Sequence, residues 1–312
     1  MTVGINFPTN IGDTILAFPV LDSLKENFPQ AKITAIASPK TRDLLFRNSF
    51  IDEVVLFDKK WSWREKMAFS FSLRKKFELF IDLKNTFLPV VLAPKKSTPF
   101  LRISSKTTHK KDYYLFLIKN LTKSSNGLIK SEVILESQEK EKWVKLFLEK
   151  DYLFIATCSA SSLKQYPSSY LKEVVYQLKS EFKIVLLGRE EDRDCYKGLF
   201  SEDVIDLVGK TEIWEVFFLL KNYAKVFLGV DSSLLHIASY LNIPAVSIFG
   251  PTSEKLYGPY SENSLILKRE NLACRPCGKA QCRFKTNECM KVEPQKVVEA
   301  VLKISNVQCQ SS

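Results

Sequence analysis

The sequence predicts an α/β protein built from two doubly wound, Rossmann-like domains that face a central cleft. Three observations support this fold class. The 312 residues favour two domains over one. With 45% hydrophobic and 26% charged residues, the chain can bury a sizeable core. Short apolar segments alternate with helical segments twice along the chain, as in parallel sheets whose strands are joined by helices.

The first alternating run predicts the N-terminal domain. Its expected strands are residues 3–7, 33–37, 54–57 and 79–83, and its expected helices are residues 15–24 and 41–48. Pro19 falls early in the first helix, where a missing backbone N–H is tolerated. Residues 98–130 are polar and basic, and their pattern predicts no clear element.

The second alternating run predicts the C-terminal domain. Its expected strands are residues 153–157, 183–187, 204–207, 226–229 and 245–249, and its expected helices are residues 168–179, 191–199, 213–222 and 233–240. Helices are also expected at 139–149 and 294–304. We therefore expect one domain at 1–150, a second at 151–292, and a terminal helix and tail at 293–312. In such folds, ligands bind at the carboxyl ends of the strands.

The positive charge of the chain is concentrated in one segment. Residues 59–111 contain 14 Lys and Arg against three acids, so this segment has the whole net charge of +11. A basic field of this kind attracts a polyanion or an anionic surface, although a solvated face gives the same pattern. The sequence shows neither a secretory signal nor an apolar run long enough to span a bilayer. We expect a cytoplasmic protein, peripheral to a membrane.

The turn after the first strand places a carboxylate at a helix start. Gly12 allows the backbone to turn tightly, and Asp13 then faces the cleft. Asp is also a favoured N-cap residue, so a structural role for Asp13 is an alternative.

The segment from Gly229 to His236 joins a buried strand to a helix. The backbone amides of Ser232 to Leu235 would form an anion site at the helix N-terminus. Asp231 and His236 frame this loop, and we interpret His236 as functional rather than structural.

Two further strand ends have charged candidates. Lys164 can contact a phosphate, or it is a solvated loop lysine. Glu191 can bind ribose hydroxyls, or it is part of an acidic first helical turn. Asp192 and Asp194 form an Asp-x-Asp sequence that binds metals in other transferases, but the predicted helix places them on the surface, so we expect no metal site there.

Four of the seven cysteines form a cluster at Cys274, Cys277, Cys282 and Cys289. Four thiolates can hold zinc, but the spacing differs from that of a paired zinc ribbon. Structural metal, disulfides and free thiols all remain open.

Taken together, these motifs resemble glycosyltransferase family 9, the ADP-heptose:lipopolysaccharide heptosyltransferases. The string NIGDTILAFPVLDSLKENFPQAKI resembles the opening of that family, and FLGVDSSLLHIASYLNIPAVSIFGPTSEKLYGPY resembles its donor-site signature. The similarity spans nearly the whole chain and is weak at residues 95–135. It implies a GT-B fold and inverting transfer of a heptose from ADP-heptose to an anionic, lipid-linked lipopolysaccharide core. It implies neither a catalytic metal nor a cofactor beyond the nucleotide sugar, and no nucleic-acid partner.

The resemblance also implies roles for individual residues. Asp13 corresponds to the general base, Lys164 to the phosphate-binding lysine, and Glu191 to the ribose-binding acid, with Glu190 as an alternative. The donor loop corresponds to Asp231, Ser232, Ser233, Leu234 and His236. Ser233 replaces the usual glycine, and its Cβ restricts close approach of a ligand.

The basic helix that binds the acceptor corresponds to a segment that includes Lys60 and Arg64. Two alternatives remain at this point. One is a related transferase that uses another nucleotide sugar, and the other is a non-catalytic protein that binds anionic glycans or a membrane surface.

Overall fold

The computed structural model describes residues 1–99, 108–123, 129–148, 151–279 and 281–306. Two compact units are formed by Met1–Ile134 and Leu135–Ser312. The expected domain boundary at residue 150, Cys309, and Arg102 and Lys106 of the basic segment lie outside the described residues.

The described residues of the first unit form one parallel sheet and six helices. Its strands are β1 (Thr2–Asn6), β2 (Lys32–Ala37), β3 (Glu53–Leu56), β4 (Leu79–Asp82) and β5 (Lys96–Ser97). Its helices are α1 (Ile11–Leu16), α2 (Phe18–Asn27), α3 (Arg42–Phe46), α4 (Trp63–Ser72), α5 (Leu88–Leu92) and α6 (Lys110–Ile118). The strand order is β3-β2-β1-β4-β5.

The described residues of the second unit form a similar sheet of six parallel strands. They are β6 (Tyr152–Ala156), β7 (Lys183–Leu186), β8 (Val204–Asp206), β9 (Ala224–Val230), β10 (Ala245–Phe249) and β11 (Ser264–Lys268). The α-helices are α7 (Ser137–Leu146), α8 (Ser168–Leu178), α9 (Ile213–Tyr223), α10 (Ser233–Tyr240), α11 (Glu254–Tyr257) and α12 (Pro294–Asn306). Three 3₁₀ helices cover Ser162–Lys164, Glu190–Tyr196 and Glu288–Met290. The strand order is β11-β10-β9-β6-β7-β8.

Both sheets have the doubly wound order, which confirms the predicted fold class. Each unit's first strand lies inside its sheet, with the next two strands on one side and the fourth on the other. The order therefore reverses between β1 and β4, and again between β6 and β9. At such a switch point the connections leave in opposite directions and open a crevice at the carboxyl ends of the strands.

Apolar side chains from the strands and from α12 form the core of the second unit. Leu153, Ile155 and Leu228 of the central strands are fully buried. Helix α12 packs on α8 and on the sheet, and its buried residues include Val297 and Val301. The burial of a continuous apolar stripe explains why the terminal helix was predictable from its periodicity.

The structure differs from the sequence expectations in several elements. The helix predicted at 15–24 is two helices, because Pro19 lies in the first turn of α2 and the chain breaks at Ala17. The segment predicted as an α-helix at 191–199 is a 3₁₀ helix. Helix α6 lies in the stretch that had no prediction. Strand β11 was missed because it is a half-buried edge strand whose apolar run is only three residues long, and the two-residue edge strand β5 was missed as well. In the described parts of the chain, no helix is long and apolar enough to cross a membrane.

Candidate active site

The switch point of the second sheet brings together Lys164 and Asp231. Lys164 lies in the loop after β6, and Asp231 directly follows β9. Because these strands are parallel neighbours, their loops meet at one edge of the sheet. The Lys164 Nζ lies 2.7 Å from Oδ2 of Asp231. The Asp231 side chain is 6% exposed and the Lys164 side chain 26%, so the lysine is the more accessible partner of the pair.

His236 completes this charged group. Its Nε2 lies 3.8 Å from Oδ1 of Asp231, and its side chain is buried. The two oxygens of Asp231 therefore face different partners, Lys164 and His236. All three residues were predicted as donor-site residues, and the structure places them side by side. The pairing gives Asp231 a structural part in the site, because its carboxylate holds the lysine ammonium at the switch point.

The N-terminus of α10 adds backbone donors beside this group. Ser232 is the N-cap, and its Oγ accepts a hydrogen bond from the Leu235 amide at 3.5 Å. That amide is therefore used within the helix cap, contrary to its expected part in an anion site. Within the described chain, nothing accepts from the amides of Ser233 and Leu234. First-turn amides without intrahelical partners, at the positive end of the helix, are suited to bind an anion.

Close packing holds the two loops in place. A Cβ at Gly229 would lie 2.5 Å from the Phe227 ring and 3.1 Å from the carbonyl oxygen of Ala156, so only glycine fits there. Tyr166, two residues after Lys164, donates a hydrogen bond to the Val292 carbonyl at 2.7 Å. Burial raises the pKa of Tyr166, so its hydroxyl stays protonated as a donor.

One buried hydroxyl at this edge has no protein partner. Thr157 follows β6, is fully buried, and has no hydrogen bond to its Oγ1 among the described residues. Buried polar atoms are normally hydrogen-bonded, so Thr157 Oγ1 can take a partner from water or from a ligand.

The two candidate ribose-binding acids, Glu190 and Glu191, lie in the acidic turn after β7 and differ in how accessible their carboxylates are. The carboxylate of Glu190 accepts from Arg193 Nε at 2.9 Å and from Nη2 at 3.2 Å. Glu191 is 75% exposed, and its nearest cation, Arg189 Nη1, lies 3.9 Å away. Of the two acids, Glu191 therefore has the more accessible carboxylate for a ligand.

Asp192 of this turn is buried and not on the surface. It was predicted to lie on the surface, but its side chain is only 4% exposed. Its Oδ2 accepts from the Arg189 backbone amide at 2.9 Å, and its Oδ1 accepts from Arg189 Nη2 at 2.8 Å. Asp192 thus closes the 3₁₀ turn, whereas Asp194 is exposed. Among the described residues, no three His, Cys, Asp or Glu side chains form a metal-binding group.

In the first unit, Asp13 lies at the carboxyl edge of the sheet. Asn10 occupies the N-cap position of α1, and Asp13 is the third residue of the helix, so the N-cap alternative for Asp13 is wrong. Asp13 is half-buried, and its Oδ2 accepts from Asn10 Nδ2 at 3.4 Å. This single long hydrogen bond leaves most of the acceptor capacity of the carboxylate available.

Asp82 and Lys84 lie at the same edge and were missed in the sequence. The buried carboxylate of Asp82 accepts from Asn6 Nδ2 at 2.8 Å and from the backbone amides of Lys84 and Thr86. The Lys84 Nζ lies 5.8 Å from the centre of the Phe57 ring. Burial lowers the pKa of Lys84 to about 8, and the Asp82 charge only partly opposes this shift. The sequence did contain a signal for this pair, because a buried strand ends in an acid and a lysine follows two residues later.

The predicted acceptor residues Lys60 and Arg64 are exposed and follow β3. Between them, Trp61 packs on Phe57 and Phe69, with ring centres 5.8 Å and 5.7 Å away respectively. Trp61 thus anchors the turn, while Lys60 and Arg64 project into solvent. Both residues belong to the first unit, as Asp13 does, whereas the Lys164 group belongs to the second unit.

Among the described residues, no disulfide joins the cysteines of the cluster. Cys274, Cys277, Cys282 and Cys289 are all free. Hydrogen bonds from backbone amides, led by that of Asn287, lower the pKa of Cys282, whereas burial raises the pKa of Cys289.

Comparison with known proteins identifies the family. The model of glycosyltransferase family 9 (heptosyltransferase) matches residues 101–287, more than half of the chain. Lipooligosaccharide heptosyltransferase 2 of Campylobacter jejuni subsp. jejuni serotype O:6 is 26% identical over 98% of this chain and 99% of its own length. The solved structure of E. coli ADP-heptose lps heptosyltransferase II is 19% identical, with a TM-score of 0.77 over 99% of both chains. E. coli heptosyltransferase WaaC with ADP is 18% identical, with a TM-score of 0.72 over 97% of this chain and 100% of that one. These neighbours have the GT-B fold, and the chain belongs to glycosyltransferase family 9 and is a glycosyltransferase.

Proposed function

We propose that this enzyme moves a heptose from ADP-heptose to a hydroxyl of an anionic, lipid-linked lipopolysaccharide core, with inversion and without a catalytic metal. The Lys164–Asp231 pair beside the first-turn amides of α10 is the observation on which the proposal rests. A cation and unpaired amides at a sheet switch point suit the diphosphate of a nucleotide sugar. The names of the relatives support heptose as the sugar, ADP as the nucleotide and lipopolysaccharide as the acceptor.

The donor residues in this proposal have separate tasks. The Lys164 ammonium and the amides of Ser233 and Leu234 bind the diphosphate. Glu191 binds the ribose hydroxyls, which its exposed carboxylate supports. Asp231, His236 and the Ser232 cap act mainly by positioning, because Asp231 contacts Lys164 and His236, and Ser232 caps the start of the helix.

Asp13 is the general base in the proposed reaction. As the acceptor oxygen attacks the anomeric carbon, its proton passes to a carboxylate oxygen of Asp13. The new glycosidic bond forms while the bond from the anomeric carbon to the phosphate oxygen breaks. The electron pair of that bond leaves on the nucleoside diphosphate, where Lys164 and the helix amides stabilise the developing charge. Direct attack on the face opposite the leaving group inverts the anomeric centre.

The acceptor is proposed to bind through Lys60 and Arg64, which are exposed and can reach carboxylate or phosphate groups. A lipid-linked acceptor further implies that the enzyme works peripherally, on the cytoplasmic face of the inner membrane.

The decisive test is mass spectrometry of core acceptors after incubation with a panel of nucleotide sugars. We expect a heptose adduct with ADP-heptose, with turnover retained in EDTA. An adduct with another sugar would replace the donor assignment, and the absence of any adduct with a correctly folded enzyme would favour a glycan-binding protein. Activity lost in EDTA and restored by Mg²⁺ or Mn²⁺ would contradict metal independence. Circular dichroism separates that result from chelator-induced unfolding around the cysteine cluster.

A further inference from the structure

Helix α4 has apolar side chains on two opposite faces. On one face, Phe69 and the following Leu73 are buried in a cluster with Phe80 and other residues of the first sheet. On the other face, Trp63, Met67 and Phe71 are 70%, 39% and 54% exposed. Their spacing of four residues aligns them along one side of the helix. A surface helix normally presents polar residues opposite its buried stripe, so this second apolar stripe indicates a binding surface.

The α4 docking face, defined as Trp63, Met67 and Phe71, is bordered by cations. The Arg64 guanidinium lies 5.8 Å from the Trp63 ring centre, and the Arg74 guanidinium lies 6.0 Å from that of Phe71. Lys75 and Lys76 follow Arg74 directly. Because these arginines lie beside exposed aromatic rings, positive charge and apolar surface are adjacent on this side of the protein.

Little negative charge opposes these cations. Glu65 is the only acid within α4, and its Oε2 accepts a hydrogen bond from the Ser62 amide at 2.7 Å as part of the helix cap. The neighbouring helix α5 packs against α4, and Phe87 at its N-cap and Val90 within it are also exposed, at 65% and 55%. The surface is therefore aromatic, aliphatic and basic, a composition that matches the interface of an anionic lipid layer.

We propose that the α4 docking face inserts into the headgroup region of a membrane that contains anionic lipids. Trp63, Met67 and Phe71 lie at the boundary with the acyl chains, while Arg74 contacts lipid phosphates. The inference rests on the proposed function in one respect: a lipid-linked acceptor requires an enzyme that works at a membrane surface. The proposal assigns the contact with the membrane to helix α4 of the first unit, which lies beside the proposed acceptor residues.

Vesicle flotation of the full-length protein tests this assignment. The test variant is Met67→Gln with Phe71→Ser, which removes apolar surface and leaves Lys60 and Arg64 in place. The matched control is Phe116→Ser, because Phe116 is 58% exposed on α6 and also has a cation three residues later, with Lys119 Nζ 4.0 Å from its ring centre. Thermal melting of each variant establishes that it is folded.

We expect the wild type and Phe116→Ser to float with vesicles of phosphatidylethanolamine and phosphatidylglycerol, and to float less as salt is added. The partition coefficient of the double variant onto these vesicles should be lower by about tenfold or more, because two inserted apolar side chains are lost. Replacing phosphatidylglycerol with phosphatidylcholine should weaken binding of the wild type. Equal flotation of the double variant and the control, or no flotation of the wild type, would overturn the proposal.

Two further measurements separate this proposal from its alternatives. Transfer to an acceptor stripped of its acyl chains should be unchanged in the double variant, because that acceptor requires no membrane. If the wild type floats as expected but transfers no sugar, the proposed function fails while the docking face stands. If sedimentation shows self-association that the double variant abolishes, and vesicles do not bind, the face joins two copies of the chain and the membrane proposal is wrong.

Discussion

The ammonium of Lys164 and the carboxylate of Asp231 form a 2.7 Å ion pair between the loops that follow the two central strands of the second sheet. The pair links two segments that are 67 residues apart in the chain. Asp231 is nearly fully buried, so the lysine ammonium compensates the cost of burying its carboxylate. The lysine is therefore held at the switch point before any ligand arrives, which lowers the entropic cost of using it to bind a diphosphate.

Lys164→Ala should weaken binding of ADP by about tenfold to a hundredfold, because it removes a charge-assisted contact. Calorimetry with ADP measures the effect directly. Lys172→Ala is the matched control, since Lys172 is an exposed lysine on α8 of the same unit. Unchanged ADP affinity in Lys164→Ala would mean that the lysine only neutralises Asp231.

A second variant separates ligand binding from stability. Lys164→Ala alone leaves the Asp231 carboxylate buried without its ion-pair partner, so we expect it to lower the free energy of unfolding by about 1–3 kcal/mol. Adding Asp231→Asn removes the buried charge and should restore much of that stability, but it should not restore ADP affinity. Denaturant unfolding and calorimetry on the same three proteins test this. If the free energy of unfolding and the ADP affinity both recover in the double variant, the loss of affinity came from a disturbed fold.

Asp13→Asn should lower kcat by about a hundredfold or more, because general-base catalysis typically contributes factors of 10²–10⁴. The amide can still accept a hydrogen bond but cannot take up the acceptor proton. Binding of ADP should be nearly unchanged, since the proposed diphosphate residues belong to the other unit. Near-normal turnover would remove Asp13 from the mechanism.

The sequence predicted the sheets better than it predicted the contacts of the site. Alternating apolar segments identify buried strands regardless of their neighbours, so nearly every strand of both sheets was found. Strand order depends on how each connection crosses the sheet, and the spacing of residues along the chain does not contain that information. Lys164 and Asp231 were therefore predicted as separate ligand contacts, and only the adjacency of β6 and β9 shows that they pair.

Lys84 was missed in the sequence and Asp192 was placed on the surface, each because the sequence pattern does not report the surroundings of the side chain. A lysine after a strand is usually solvated, but here Phe57, 27 residues earlier in the chain, lies beside the lysine head. Asp192 was expected on a helix surface, yet the 3₁₀ turn directs it to the Arg189 amide and guanidinium. At Lys84 the tertiary surroundings override the local preference that a sequence pattern reports. At Asp192 the contact is local, and the sequence pattern missed it because it predicted an α-helix where the chain forms a 3₁₀ turn.

Lys84→Met should stabilise the protein near neutral pH by about 1–2 kcal/mol, because a partly desolvated ammonium is replaced by an apolar side chain. The pKa of Lys84 is about 8 in the folded protein and 10.5 ordinarily. Between these values the unfolded chain binds more protons, so this lysine makes stability rise with pH across that window. Below pH 8 both states are charged, and the cost of burying the charge is constant.

Urea unfolding of wild type and Lys84→Met from pH 7 to pH 10.5 tests this sign. The stability advantage of the variant should shrink as pH rises through the window, while an exposed-site control, Lys172→Met, should differ little from the wild type at any pH. A difference that stays constant with pH would show that Lys84 has an ordinary pKa.

The replacement of Lys60 and Arg64 together by Ala should raise the acceptor KM and flatten its dependence on salt. Both side chains are exposed, so their attraction to an anionic acceptor is screened over about 8–10 Å near physiological ionic strength. Wild-type acceptor KM should therefore rise with added salt, and the double variant should show a smaller rise. The ADP-heptose KM should change little, because the proposed donor residues belong to the second unit.

Steady-state kinetics at several salt concentrations, with an acyl-free acceptor, separates this effect from membrane binding by α4. Equal increases in both KM values would indicate damaged folding, and unchanged values for both substrates would mean that Lys60 and Arg64 are solvated charges with no part in acceptor binding.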